Sequence, residues 1–343
     1  MRSVRSWVVA VVSVLLLTAC HGPRLPDAAA PASRQVPDLR RGFVGAASWM
    51  PGDWVYFTYS ASGTPSQLWR RPLDGSAAAQ RVSFTPPAGS CNLGAITALQ
   101  PLADGVLAVA ASCDISDGYR GFVALLDVHT ENARLLVSFP SFAGNAVAVL
   151  PDHTGAFVTA EAPDGLCQAL AFFHTRQGLR PFTHLVTVGS STFWPDGLFR
   201  APADRPTCGS TGDAGWPAVT SDGSTLYFLA RAAPSDRSDR MTTADGAIFR
   251  TPTAGEAPPV QVWAGVRAPT GLATLSMNGR TLIAVAGLIE HRSVVQAIRP
   301  DDGTIVRTWV GQYRSLSTSP DGHHLLAVKT GDAGTEFETL DIA

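Results

Sequence analysis

One tight turn recurs along this chain and constrains its fold more than any other feature. Its clearest copies lie at 217–231, 272–286 and 316–330, and looser copies lie at 45–60, 97–112 and 147–161. Each copy combines a short apolar strand, a turn and a second apolar strand. Asp-Gly and Asn-Gly suit such hairpins, because glycine adopts positive φ at no steric cost and Asp or Asn caps the turn. A second turn follows in most copies, so each repeat predicts four antiparallel strands.

The spacing of the repeats predicts how the strands assemble. Turn glycines lie roughly one four-stranded unit apart, at Gly52, Gly105, Gly155, Gly223, Gly279 and Gly322. Four-stranded units repeated radially close into a β-propeller, which protects the edges of its sheets. We therefore predict an all-β fold, a six-bladed β-propeller of four-stranded antiparallel blades. A seventh blade beginning at 191–199 is the alternative, and we interpret that segment as an insertion.

The best copies also resemble a known repeat. TSPDGHHLLAV and TSDGSTLYFLA are similar to the PD40, or WD40-like, repeat of TolB-type propellers. The resemblance covers most of residues 43–343 and implies the same propeller fold.

Closure of the ring is predicted at the two ends of the repeat region. The last repeat predicts strands only near 313–318, 323–329 and 335–341. The segment 36–43 precedes the first repeat, and we expect it to supply the missing outer strand of the sixth blade. The propeller domain would then span 36–343. The alternative is that residues 36–43 belong to a tether.

The N-terminal residues are typical of an exported bacterial lipoprotein. Arg2 and Arg5 precede an apolar stretch of signal-peptide length. The sequence LTAC, ending at Cys20, resembles the lipobox, whose cysteine is lipidated, with palmitate an expected acyl group. We predict a signal peptide at 1–19, a flexible tether at 20–35 and a lipid-anchored location on the extracytoplasmic side of the cell membrane. An ordinary secretory signal is the alternative.

The charge of the chain argues against a nucleic-acid partner. There are 26 Lys and Arg residues against 28 Asp and Glu, and loss of the leader with its two arginines leaves a net charge of −4. No basic run is present that could follow a phosphate backbone. We expect a monomer that contacts the membrane through its lipid and a protein partner in the cell envelope.

The cysteine count fits the same compartment. Of five cysteines, Cys20 is used by the anchor. The other four suggest two disulfides in an oxidising compartment, and their spacing is poor for a zinc site. All four map to one rim, with Cys113 placed in the middle turn of the second repeat. Among three pairings we favour Cys91–Cys113 and Cys167–Cys208.

Loop lengths indicate which rim binds. The turns between first and second strands and between third and fourth strands share one rim, here called the short-turn rim. The turns between second and third strands and the links between blades share the other, here called the loop-rich rim. Every long insertion falls on the loop-rich rim, at 85–94, 112–121, 189–216 and 231–246. Long loops in a compact domain commonly form a site, so we predict that this rim is the binding face.

The candidate contact residues on this rim are aromatic or charged: Phe193, Trp194, Trp216, Asp236, Arg237, Asp239, Arg240, Glu290, His291 and Arg292. In the structural interpretation, the aromatic residues pack the insertion onto the ring and the charged residues are solvated. No GxSxG, HExxH, P-loop or GxGxxG motif is present, so we assign no catalytic residue, metal or cofactor. We predict a binding or scaffold module. The alternative is a propeller enzyme, either a metal-dependent lactonase-like hydrolase or a quinone-cofactor oxidoreductase.

Overall fold

A computed structural model describes most of the chain beyond the N-terminal region. The described residues are 39, 42–61, 64–87, 92–102, 105–115, 118–139, 142–161, 168–176, 178–180, 186–188, 191–193, 199–200, 205–206, 213–231, 246–255, 257, 259–331 and 334–342. All of them belong to one compact unit, Pro37–Ala343. Within these ranges, no helix has the length and apolar character needed to cross a membrane.

Three four-stranded antiparallel sheets come first in the chain. The first contains β1 (Phe43–Met50), β2 (Trp54–Ser60), β3 (Gln67–Pro72) and β4 (Gln80–Arg81). The second contains β5 (Asn92–Pro101), β6 (Val106–Ile115), β7 (Gly118–Asp127) and β8 (Ala133–Phe139). The third contains β9 (Phe142–Val149), β10 (Gly155–Glu161), β11 (Gln168–His174) and β12 (Gly178–Arg180).

Two short hairpins follow the third sheet. Their strands are β13 (Val186–Val188), β14 (Ser191–Phe193), β15 (Phe199–Arg200) and β16 (Arg205–Pro206). Each hairpin is a separate two-stranded sheet. The hairpins therefore fit the interpretation of this segment as an insertion better than that of a further four-stranded blade.

A seven-stranded sheet joins the next two units. Its strands are β17 (Asp213–Val219), β18 (Thr225–Arg231), β19 (Gly246–Pro252), β20 (Val260–Met277), β21 (Arg280–Ile289), β22 (Arg292–Ile298) and β23 (Ile305–Val310). The 18 residues of β20 pair first with β19 and then, from Arg267 onward, with β21. One strand is therefore both the outer strand of the fourth unit and the inner strand of the fifth.

The last sheet has three strands, β24 (Gln312–Thr318), β25 (His324–Gly331) and β26 (Gly334–Asp341), close to the predicted ones. The inner strands β1, β5, β9, β17, β20 and β24 lie beside one another in that order, and β24 lies beside β1. Residues from all six units line one central cavity. The fold is a β-propeller, and the ring is consistent with six blades. The units are called blades 1 to 6 below.

The recurring turn has the geometry that its sequence predicts. In blade 4 the Asp222 carboxylate accepts hydrogen bonds from the Thr220 hydroxyl at 2.6 Å and from the Ser224 amide at 3.0 Å. The next residue, Gly223, has a φ of 75°, which favours glycine. In blade 6 the Asp321 carboxylate likewise accepts the His323 amide at 3.0 Å. The Asp-Gly pairs are therefore explained by local structure alone.

The hydrophobic core lies between the blades. Within the described ranges, each pair of neighbouring blades shares one buried apolar cluster. Phe57, Phe122, Phe157 and Phe228 are among the largest fully buried side chains. Because both faces of each blade are covered, the middle strands are apolar along their length rather than alternating with polar residues.

Blades 6 and 1 meet where the chain enters the propeller. The Thr335 amide of β26 donates to the Leu39 carbonyl at 3.1 Å, and Leu39 packs on the cluster shared by these blades. Phe43, which we predict to be in the closing strand, instead begins β1, because it pairs with Ser60 of β2. Residues 36–38, 40 and 41 lie outside the described ranges. The closing strand therefore stays a prediction beyond this one hydrogen bond.

Candidate functional site

The central cavity lies at the short-turn rim, opposite the predicted binding face. Its volume is about 770 Å³. Its walls are the final residues of the inner strands and the turns that follow them, including Pro51, Pro151 and Pro320. The sequence prediction did not include this cavity, because each blade contributes only a few residues to it.

The cavity wall is apolar and rich in hydroxyl groups. Leu99, Val149, Leu275 and Leu316 supply apolar surface, and serine and threonine side chains lie between them. Among its described lining residues, Asp321 is the only carboxylate, and neither lysine nor arginine is present. The described part of the chain contains no group of three or more His, Cys, Asp or Glu residues that could hold a metal ion.

Side chains of one blade fix the inner strand of the next. The Trp49 amide of blade 1 donates to the Ser317 hydroxyl of blade 6 at 3.1 Å. The Val149 amide of blade 3 donates to the Gln100 carboxamide oxygen of blade 2 at 2.6 Å. The Thr274 hydroxyl of blade 5 makes the reverse contact, donating to the Val219 carbonyl of the preceding blade 4 at 2.9 Å. These bonds hold the cavity wall in place, because the inner strands expose otherwise unpaired backbone groups.

Ser48 of blade 1 breaks this pattern. It is completely buried, yet its hydroxyl has no hydrogen-bond partner. The Leu102 amide of blade 2 and the Leu150 amide of blade 3 make the same hydrogen bond across the first turn of their blades. The residues just before them, Pro101 and Val149, therefore occupy corresponding positions. Proline has no amide hydrogen to donate. The missing donor therefore explains why Ser48 is unpaired.

Ser317 and Ser48 form a matched pair for testing these bonds. We expect Ser317→Ala to lower the free energy of unfolding by about 1–3 kcal/mol, because it leaves the buried Trp49 amide without an acceptor. Ser48→Ala, at an equally buried position, should be neutral or slightly stabilising. Chemical denaturation of the soluble domain measures both. Equal destabilisation by the two substitutions would show that the hydrogen bond contributes nothing.

Two turns of the short-turn rim contain an aspartate with a lowered pKa. Hydrogen bonds from the Thr220 hydroxyl and the Ser224 amide hold the pKa of Asp222 below its usual range. The Ser319 hydroxyl and the His323 amide do the same for the pKa of Asp321. Both groups therefore stay ionised at neutral pH.

The structure separates the predicted contact residues of the loop-rich rim. Trp216 lies in β17, is only 5% exposed and packs in the cluster between blades 4 and 5, so its role is in the core. Glu290 and His291 form the turn between β21 and β22, and both are exposed, as is Arg292. Phe193 belongs to β14. Trp194, Asp236, Arg237, Asp239 and Arg240 lie outside the described residues.

Two exposed apolar side chains on this rim are absent from the sequence prediction. Val310 ends β23 and is 69% exposed, and Phe43 begins β1 and is 52% exposed. The Arg314 guanidinium lies 5.0 Å from the centre of the Phe43 ring. Gly311, next to Val310, donates its amide to the Ser293 carbonyl, which places Val310 near Arg292. Phe43 and Val310 both lie at strand ends beside inter-blade links, and this position is the sequence signal that could have identified them.

The position of Cys113 corrects one prediction. It lies inside β6, not in the middle turn of blade 2, because β6 and β7 pair as far as Ile115 and Gly118. Most of 112–121 is therefore paired strand rather than a long loop. Cys113 is completely buried and disulfide-bonded. Cys91, Cys167 and Cys208 lie outside the described residues, so both predicted pairings stay predictions.

Comparison with known proteins identifies the fold but no family. No family model matches the chain, and no curated protein sequence matches it. Among solved structures, TolB from Acinetobacter baumannii is 16% identical over 85% of this chain, with a TM-score of 0.53. The match spans 62% of the TolB chain. An oligogalacturonate lyase from Vibrio parahaemolyticus is 10% identical, covering 91% of this chain and 95% of the lyase, with a TM-score of 0.50. In fold, this chain is therefore a β-propeller similar to that of TolB.

Proposed function

We propose that this chain is a lipid-anchored extracytoplasmic binding protein that presents its loop-rich rim to a protein partner in the cell envelope. The observation that carries the proposal is the exposed apolar surface of Phe43 and Val310 on that rim. Anchoring through Cys20 rests on the lipobox resemblance and on the charged and apolar regions before it.

The chemistry of this rim favours a protein partner. Aromatic side chains and arginine are enriched in protein interfaces, where they supply most of the binding free energy. Phe43 and Arg314 form such a pair, with the guanidinium stacked on the ring. The exposed Glu290, His291 and Arg292 add polar groups of the kind found around an interface core.

Site-specific photo-crosslinking in intact cells tests the proposed face. We expect p-benzoylphenylalanine in place of Phe43 or His291 to give a discrete adduct with one envelope protein. The same group in place of the exposed Asn278, a turn residue of the short-turn rim, is the control. Equal adducts at Asn278, or none at Phe43 and His291, would contradict the proposal.

Cys20→Ser tests the anchor separately. The substitution removes the thiol that would carry the lipid, so the protein should either leave the membrane fraction or persist as unprocessed precursor. Detergent phase partitioning of cell extracts measures both. Unchanged partitioning of Cys20→Ser into the detergent phase would refute lipidation and leave the proposed binding face untouched.

A further inference from the structure

We propose that the central cavity at the short-turn rim binds a small organic ammonium compound, with its cationic group at Asp321 and its apolar body against the channel wall. This site is separate from the loop-rich rim and does not depend on the function proposed for that rim.

The cavity has the size and construction of a small-molecule site. Its volume of about 770 Å³ falls within the roughly 300–1,000 Å³ typical of ligand pockets. Six blades contribute to its wall, and the bonds from Ser317 and Gln100 to neighbouring amides hold that wall in place. A preformed wall lowers the ordering cost of binding.

The charge of the cavity lining favours a cationic ligand. Asp321 is the only carboxylate among the described lining residues, and no basic lysine or arginine balances it there. The Arg134 guanidinium lies 3.3 Å from Nδ1 of His153, the other ionisable lining residue. Because arginine can only donate, His153 Nδ1 accepts in this contact. A carboxylate ligand would meet repulsion from Asp321, with no lysine or arginine among the described lining residues to pair with it.

Asp321 has one oxygen available. Its Oδ1 accepts the Ser319 hydroxyl and the His323 amide within the turn. His324 Nε2 lies 3.9 Å from its Oδ2, beyond hydrogen-bond distance. The side chain is 58% exposed at the cavity mouth. An ammonium group can therefore bind Oδ2 without disturbing the turn.

The repeats supply a matched pair of variants. Asp321→Asn should keep the turn, because an asparagine Oδ1 can still accept the Ser319 hydroxyl and the His323 amide. Asp222→Asn changes the same turn position in blade 4, where the carboxylate does not line the cavity. A difference in ligand affinity between the two variants therefore comes from the cavity and not from a change in the turn.

Titration calorimetry of the soluble domain with three probes of one length tests the proposal. The probes are hexane-1,6-diamine, hexane-1,6-diol and hexanedioate. We expect saturable binding of the diamine, with the other two at least about tenfold weaker, and a loss of about tenfold or more for the diamine with Asp321→Asn, as for one charge-assisted hydrogen bond. Asp222→Asn should stay within twofold. Absent diamine binding, equal binding of either other probe, or equal loss in both variants would overturn the proposal.

Discussion

Replacing Phe157 with alanine will lower the free energy of unfolding by about 3–5 kcal/mol, as for other fully buried phenylalanines. Phe157 lies in β10 with none of its surface exposed. Its ring centre is 4.5 Å from that of Phe172, and both belong to the cluster between blades 3 and 4. The substitution leaves a void between two blades, which the surrounding sheets cannot fill without breaking their ladders.

Phe43→Ala is the control for Phe157→Ala, since the same atoms are removed from a ring that is 52% exposed. Its cost should stay below about 1 kcal/mol, even with loss of the stacking on Arg314. Urea denaturation of the soluble domain gives both values. A similar loss for the two substitutions would mean that the clusters between blades do not dominate the stability of the ring.

Truncation at the N-terminus should produce the second large effect. A soluble domain that begins at Gln35 should melt near the temperature of the full mature chain, because a solvated tether buries little surface. A domain that begins at Val44 loses Leu39, and with it the acceptor for the Thr335 amide and part of the apolar cluster of blades 6 and 1. We expect it to lose at least about 2 kcal/mol or to become insoluble, since an apolar strand edge is uncovered.

The two truncations are compared by thermal melting under the same conditions. The truncation at Val44 should lower the melting temperature of the whole domain and not only loosen its N-terminus, because the ring closes between blades 6 and 1. Equal melting of both chains would mean that residues 36–42 are tether and that the ring closes without them.

Local features were predictable from the sequence. The turn at Asp222 and Gly223 follows from the preference of glycine for positive φ and from the short reach of the aspartate side chain. The strands of blade 6 were placed within a few residues for the same reason. Segment 112–121 was misread as a loop, because Asp and Gly residues also occur in paired strands, and only register with β7 shows that Cys113 is paired.

The sequence by itself determined that this protein is made of repeated antiparallel units, because turn chemistry and alternating apolar runs act over a few neighbouring residues. Only the tertiary structure decided where the surfaces and the cavity lie. Phe43 became an exposed rim residue because β1 pairs with β2. The cavity at Asp321 exists because inner strands far apart in the chain converge on one axis. Such contacts depend on how all blades pack together, and no single repeat encodes them.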